Sequence, residues 1–152
     1  MNEQVIARSE WIASAKLIIT QISGKASMQD VEQWEASLQE ALAQVPEYGE
    51  FKIFVNLYGF KAENFEVHKR FRNIVPLTLA EYGWRVGYLG LFEEEAKSLV
   101  ISNKRGITCL AAVHCHQDET KIALYDEKYS SDRERFFIDP VVAGQWIREW
   151  VA

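Results

Sequence analysis

The sequence predicts an α/β fold with a mixed, largely parallel sheet of about five strands flanked by helices. Residues 51–57 are mostly apolar and rich in strand-favouring residues, which is typical of a central strand covered on both faces. Residues 135–138 form another apolar strand, and Asp139 and Pro140 behind it are the residue types that begin a helix. Because strands alternate with helices in the second half, the sheet is expected to contain parallel pairs.

The first third predicts a β-hairpin, or two separate strands, followed by a helix. Residues 17–22 are the clearest apolar strand before Gly24. Ser27 is expected to cap the helix, with Asp30 three residues later completing a variant of the capping box. Pro46 should follow the end of this helix. Its apolar residues recur at helical spacing: Met28, Val31, Trp34, Leu38 and Leu42.

The middle of the chain allows more than one interpretation. A helix is expected from about Asn64 toward Pro76, which should bend or end it. Residues 84–92 are compatible with a strand, although two glycines weaken a regular ladder. Residues 93–106 match a helix with acids first and bases last, or else a hairpin that turns at residues 103–106. In the helix expected from Asn64 toward Pro76, the residues that should face the core are Phe65, Phe71, Ile74 and Val75.

Residues 107–116 have strand composition, and alternation separates their side chains onto two faces. His114 and His116 should share one face. Asp118 is expected to cap the helix that follows. The opposite face of the strand should carry Ile107, Cys109, Ala111, Val113 and Cys115. The core-facing residues predicted for the last two helices are Ile122, Tyr125 and Tyr129, and then Val142, Trp146, Ile147 and Trp150.

The length of the chain and its net charge limit the classes of protein to which this sequence can belong. The 152 residues suit a single domain, residues 1–152. A net charge of -5 argues against a nucleic-acid partner, because neutralising phosphates requires a clustered excess of Lys and Arg. Residues 69–72 are the one dense basic run, interpreted as the solvated side of a helix or as a contact for an anionic partner.

The expected location is the cytoplasm. No apolar stretch approaches the roughly 20 residues of a membrane span, and the first residues lack the apolar core of a signal peptide. Cys109 and Cys115 fall in one predicted strand at a separation of about 20 Å, too far for a disulfide. Two unbridged cysteines are consistent with a reducing compartment.

A candidate ligand crevice lies where the predicted parallel strands end, since ligands of open α/β sheets bind beyond the carboxyl ends of strands. Asn56 closes one strand and leads into Tyr58, whereas His114 and His116 close another. Neutral histidines at the mouth of a crevice can hydrogen-bond a ligand or titrate near neutral pH. Loop packing without a ligand is the alternative.

The aromatic residues predict an apolar pocket or a partner surface. Trp84, Tyr88 and Phe92 are expected to contribute to an exposed aromatic patch or to an apolar pocket near the strand ends. Trp84 and Trp150 are also candidates for the anchors of a homodimer or of another protein contact. The edge of the core is the alternative place for each tryptophan.

A metal site is the alternative for the histidine pair. His114 and His116 project in the same direction from a strand, and the candidates for a third ligand are Asp118, Glu119 and His68. Nothing in the spacing requires that third ligand, so a pair satisfied by backbone or solvent is the competing interpretation. Cys115 is not expected to be a nucleophile, since adjacent strand residues diverge and an activated thiolate needs a base within hydrogen-bond reach.

The chain resembles the SpoIIAA-like branch of the STAS fold, also grouped as STAS/SEC14-like. The resemblance rests on residues 17–30, which form a strand, a Gly-Lys pair and a helix start, and on their continuation into residues 51–57. At the other end it rests on residues 135–140, with Ala143 and the Trp146-Ile147 pair. These are markers of a fold and not of a catalytic activity.

The resemblance implies a bacterial, non-enzymatic domain that binds a protein partner or a small apolar ligand and needs no cofactor. The phosphoserine of anti-sigma-factor antagonists is not carried over, because residues 58–64 contain no hydroxyl group except the Tyr58 phenol. Residues 82–106 are expected to form a family-specific addition. The alternatives are a metal-binding protein or small enzyme centred on His114 and His116, and a SEC14-like carrier of an apolar ligand.

Overall fold

A computed structural model describes residues 4–152, except for the side chains of residues 94 and 95. Its strands are β1 (Ile6–Ile12), β2 (Leu17–Ala26), β3 (Glu50–Asn56), β4 (Phe60–Ala62), β5 (Thr108–Cys115) and β6 (Glu134–Phe137). The α-helices are α1 (Met28–Ala43), α2 (Phe65–Phe71), α3 (Ile74–Ala80), α4 (Glu93–Ser98), α5 (Glu119–Tyr129) and α6 (Pro140–Glu149). Short 3-10 turns occupy Ala13–Ala15, Gly87–Leu91 and Lys104–Gly106.

The predicted α/β class is confirmed by a mixed, mostly parallel sheet. The strand order is β1-β2-β3-β5-β6, and the short β4 pairs with β2. Only the β1–β2 hairpin is antiparallel within residues 4–152, whereas β2–β3, β3–β5 and β5–β6 are parallel. β3 is the predicted central strand, and the carboxyl ends of β3, β5 and β6 therefore meet at one edge of the sheet.

The sheet separates two apolar clusters. The larger one lies on the side of α1, α2 and α3 and contains Trp34, Phe51 and Ile53. The smaller one lies under α6 and contains Phe54 and Ile147. Among the helices of residues 4–152, none combines the length and the apolar character needed to cross a membrane.

The start of α1 follows the predicted capping pattern. The Ser27 hydroxyl accepts the Asp30 amide at 3.2 Å, and the Asp30 carboxylate accepts the Ser27 amide at 2.9 Å. The buried stripe of α1 includes Val31, Trp34 and Leu38. The Trp34 indole donates to the Thr20 hydroxyl at 2.7 Å, so the ring is fixed against β2.

The helix expected from Asn64 toward Pro76 is divided into α2 and α3. Asn64 is the N-cap of α2, but the chain turns before Ile74 and not at Pro76. Pro76 is the third residue of α3, where its missing N–H has no intrahelical partner to lose. The prediction that Phe65 contributes to the core is wrong, since this first residue of α2 is 68% exposed.

The strand expected at residues 84–92 is absent, because Gly87–Leu91 forms a 3-10 turn. The Gly87 N–H donates to Glu134 at 2.9 Å, and a side chain at Gly87 would collide with the Tyr129 carbonyl oxygen. α4 begins at Glu93 as predicted but ends at Ser98. The basic residues that were expected to end this helix instead lie in the separate Lys104–Gly106 turn. There the Arg105 guanidinium donates at 2.8 Å to the carbonyl of Val45, which follows the end of α1.

A bulge in β5 overturns the predicted division of its side chains. The register with β3 pairs Phe51 with Cys109 but Lys52 with Ala111, which leaves Leu110 as an extra residue. One extra residue moves all later side chains to the opposite face. Ile107 and Cys109 accordingly lie in the larger cluster with Ala112, whereas Ala111, Val113 and Cys115 lie in the smaller one. The bulge thereby turns His114 toward the side of α2 and α3.

The last two helices begin as predicted. Asp118 accepts the Lys121 amide at 3.0 Å, and Asp139 accepts the Val141 amide at 2.8 Å. The prediction that Val142 faces the core is wrong, since it is 44% exposed and Ala143 is buried in its place. The buried side of α6 is displaced by one residue because its small residues, Ala143 and Gly144, approach the Phe54 ring of β3.

Candidate functional site

A cavity of about 170 Å³ lies beyond the carboxyl ends of β3 and β5. It is closed by α2, α3, the Gly87–Leu91 turn, α5 and β6. Its apolar and aromatic lining consists of Val55, Leu57, Phe71, Val75, Tyr88, Phe92, Ile122, Tyr125 and Phe136. The other lining residues are His68, Arg72, His114, Cys115, His116 and Lys121. Apolar atoms form most of the exposed surface of this wall, so it favours an apolar occupant.

Aromatic rings form one side of the cavity. Tyr88 is central to them, with ring centroids 5.5 Å from Tyr125 in a stacked arrangement and 5.6 Å from His114 edge-on. Phe136 stacks on the His114 ring at 4.7 Å. Burial raises the pKa of the Tyr88 phenol, and the nearby Glu134 carboxylate raises it further. The phenol therefore stays protonated, and the cavity presents neutral ring faces and edges.

The back of the cavity contains a buried imidazole–carboxylate pair. His114 Nε2 lies 2.7 Å from Glu134 Oε2, and both side chains are almost completely buried. The other carboxylate oxygen, Oε1, accepts the Gly87 N–H. Glu134 thus connects β6, β5 and the Gly87–Leu91 turn, and it holds the His114 ring against Phe136.

Glu134 is one of the site residues that the sequence interpretation missed. One feature of the sequence does indicate it. Side chains alternate between the two faces of β6, so Glu134 lies on the same face as Phe136. If the Phe136 ring faces the core, the Glu134 carboxylate must face it too. A buried carboxylate requires a partner with a proton to donate. That partner, His114, is 20 residues away in the sequence, and the pairing of β5 with β6 brings the two together.

The mouth of the cavity carries basic side chains from three segments. His68 is on α2, His116 follows β5, and Lys121 is in the first turn of α5. Burial lowers the pKa of His116 and Lys121 also lowers it, against an opposing effect of Asp118. The pKa of His68 is lowered by burial, then by Lys121 and by Arg72. Surrounding protein atoms also lower the pKa of Lys121, and Asp118 partly offsets this.

The two histidines at the mouth predict a loss of stability in acid. Their pKa values lie below the ordinary 6.5 in the folded chain, so the unfolded chain binds more protons as the pH falls. We expect the free energy of unfolding to decrease as the pH drops below 6.5 and through the lower folded values. The groups that face them are Lys121, Arg72 and Asp118.

Urea denaturation at about pH 7.5 and about pH 5.5 tests this prediction. The control is a His68→Asn, His116→Asn double variant, which lacks both titrating groups and should lose less stability over the same range. Equal losses in the two proteins would contradict the prediction, because other groups would then account for the acid sensitivity.

The structure does not assemble the alternative metal site. His114 Nε2 is occupied by Glu134, and His116 Nδ1 accepts the Asp118 amide at 3.0 Å. Over residues 4–152, no three side chains of the His, Cys, Asp or Glu type converge on one point. The trio of His114, His116 and Asp118 therefore lacks the convergence that a zinc site requires.

The two cysteines are free and buried, so the predicted absence of a disulfide between them is confirmed. Cys115 lines the cavity, but burial, with a smaller effect of Asp139, raises the pKa of its thiol to about 12. Burial raises the pKa of Cys109 as well. Since the thiolate is the reactive form, neither side chain has the properties of a nucleophile at neutral pH.

The structure brings together four of the predicted crevice residues. Tyr88, Phe92, His114 and His116 line the cavity, whereas Asn56, Tyr58 and Trp84 do not. Asn56 lies at the end of β3 and accepts the Tyr58 amide at 3.1 Å, and Tyr58 is 48% exposed. Trp84 is half-buried against the larger cluster. Trp150, the other predicted surface anchor, is half-buried and donates to the Asp132 carbonyl at 2.8 Å.

An open groove adjoins the cavity and gives it access to solvent. It shares Leu57, His68, Phe71, His116 and Lys121 with the cavity and continues past Phe60 and Phe65. The Gln117 side chain forms part of its wall by accepting the Gly59 amide at 2.8 Å and donating to the Phe60 carbonyl at 3.0 Å. The basic side chains therefore stand between an aromatic interior and the solvent.

Comparison with known proteins yields no relative, so the geometry of the cavity is the basis for assigning a function. The chain matches no protein-family model, no curated protein and no solved structure.

Proposed function

We propose that this chain is a non-enzymatic ligand-binding domain of the SpoIIAA-like STAS type that holds a small aromatic or apolar ligand. The observation that carries the proposal is the aromatic-walled cavity beyond β3 and β5. In open α/β sheets this is the usual place for a ligand. The STAS part of the proposal is supported by the order of elements, from the β1–β2 hairpin and the capped α1 to the β6–α6 end.

The size of the cavity supports a small ligand. At about 170 Å³ it is close to the roughly 150 Å³ of an engineered apolar cavity that binds benzene. One ring, or a short aliphatic group, fills such a volume. A long acyl chain needs several times more space, so the SEC14-like carrier is the weaker alternative.

The chemistry of the lining supports binding rather than catalysis. His114 is paired with Glu134, and the Cys115 thiol has a pKa of about 12. The described residues of the cavity therefore do not form a nucleophile with an adjacent base. The free, buried cysteines also support the proposed cytoplasmic location.

A substitution that fills the cavity tests the proposal. Val75 is buried on α3 and lines the cavity, so Val75→Phe should occupy the ligand volume at a cost of about 1–3 kcal/mol in stability. We expect this variant to bind toluene at least about tenfold more weakly than the unchanged chain. Methyl NMR shifts of Val55 and Ile122 during a toluene titration are the measurement.

The matched control is Leu77→Phe on the same helix. Leu77 is 43% exposed and does not line the cavity, so toluene binding should be unchanged. An amide NMR spectrum of each variant verifies its fold. The proposal would be wrong if the unchanged chain showed no toluene-dependent shifts, or if Val75→Phe bound toluene as well as Leu77→Phe does.

A further inference from the structure

We infer that the ligand of this cavity is a small aromatic monocarboxylate, with its ring among the aromatic side chains and its carboxylate at the basic mouth. The inference rests on the proposed function and adds the charge of the ligand to it. It follows from two features of the site: aromatic rings form one side of the cavity, and three of its basic side chains, His68, His116 and Lys121, also border the groove that opens to solvent.

The positive charge at the mouth is local. The whole chain carries a net charge of -5, yet His68, His116 and Lys121 border both the cavity and the groove. They come from three different segments, α2, the end of β5 and α5, which only the fold brings together. Burial and then Lys121 disfavour the protonated forms of both imidazoles, and an anion bound among the three side chains would offset the effect of Lys121.

Lys121 is the principal candidate for the carboxylate contact. Its ammonium group lies 5.5 Å from the centroid of the Tyr125 ring, so the charge is held beside the aromatic wall. No described residue forms an ion pair with it. The nearby acid, Asp118, is committed through Oδ1 to the Lys121 amide as the helix cap. A carboxylate on the ligand would supply the partner for the ammonium group.

His116 provides the second donor. Its Nδ1 accepts the Asp118 N–H, so the proton of the neutral ring is on Nε2. An Nε2–H group donates to a carboxylate whether the ring is neutral or charged. His68 adds positive charge when it is protonated. Burial and then Lys121 lower the pKa of both rings, and the charge of a bound anion would raise these pKa values by opposing the effect of Lys121.

The length of the ligand follows from the shape of the site. The cavity holds one ring, and the Lys121 ammonium group lies 5.5 Å from the centroid of the Tyr125 ring that lines it. The carboxylate must therefore be attached to the ring directly or through a short arm. Benzoate is the simplest probe of this class, and benzamide has the same shape without the charge.

Binding of benzoate, benzamide, toluene and inorganic phosphate to the unchanged chain tests the inference by NMR titration at low ionic strength. We expect benzoate to bind at least about tenfold more tightly than benzamide, with a preference that decreases as salt is added. Lys121→Met should reduce benzoate affinity about fivefold to tenfold and abolish the preference for benzoate over benzamide. The matched control is Lys128→Met in the last turn of the same helix, which should change neither.

The outcomes separate this inference from the proposed function. Equal binding of benzoate and benzamide, or no effect of Lys121→Met, would overturn the inference while toluene binding preserves the proposed function. Phosphate binding with the same dependence on Lys121 would indicate a general anion site and would also overturn it. If no aromatic compound binds, both statements are wrong.

Discussion

Replacing Glu134 by leucine should lower the free energy of unfolding by about 3–5 kcal/mol, because it removes two hydrogen bonds to a buried carboxylate, each worth roughly 1.5–3 kcal/mol. The leucine would leave the Gly87 N–H without its acceptor and His114 without its carboxylate. The His114 side chain is shielded from water, so solvent cannot replace its lost partner. Urea denaturation at neutral pH measures the change.

Glu134→Gln is the matched control for this prediction. The amide retains an oxygen that can accept from one of the two partners and should therefore cost clearly less than leucine. A loss below about 1 kcal/mol for Glu134→Leu would contradict the prediction, because this is the average effect of an ordinary substitution. It would mean that the pair is not the connection that holds the Gly87–Leu91 turn against β5 and β6.

Replacing Phe136 by alanine is expected to cost about 3–5 kcal/mol, since it removes a fully enclosed ring from the core. Phe136 is buried, stacks on His114 at 4.7 Å and lies 5.7 Å from the Tyr125 ring centroid. The space left behind would join the existing cavity. The free energy of unfolding from urea denaturation gives the size of the effect.

The enlarged cavity gives this prediction a second readout. Because an apolar ligand that fills a cavity stabilises the folded chain, toluene should raise the stability of Phe136→Ala more than that of the unchanged protein. Phe137→Ala is the control, since the neighbouring ring is only half-buried and packs on the other side of β6 near Trp146. If Phe136→Ala cost no more than Phe137→Ala, the ring would not be the part of the wall inferred from its contacts.

The interactions that the sequence predicted well are those between residues close together in the chain. The capping box of Ser27 and Asp30 and the start of α6 at Asp139 and Pro140 each depend on partners a few residues apart. The central position of β3 was also predictable, because a strand buried on both faces is mostly apolar. These signals are local, so they can be recognised in the sequence without knowledge of the rest of the fold.

The start of α4 at Glu93 was predicted, but the strand expected at residues 84–92 and the continuation of the helix to residue 106 were wrong, because the decisive partners lie elsewhere in the chain. The Gly87–Leu91 turn depends on Glu134 and on the Tyr129 carbonyl, and Arg105 turns away to reach the carbonyl of Val45. A pattern of apolar residues and glycines carries no information about these contacts. The expected strand at residues 84–92 was therefore an inference from composition that tertiary contacts override.

The sequence alone determined the α/β class, the central strand, the helix caps and the placement of His114 at a strand end, because periodicity and capping are properties of neighbouring residues. Only the tertiary structure decided the candidate site. The extra residue, Leu110, determines the face of β5 on which His114 lies. The pairing of β5 with β6 then brings His114 to Glu134. Packing then closes α5 over the cavity and places Lys121 at its mouth. A cavity is a property of surfaces that are distant in sequence, and so its shape and charge emerge only when the chain is folded.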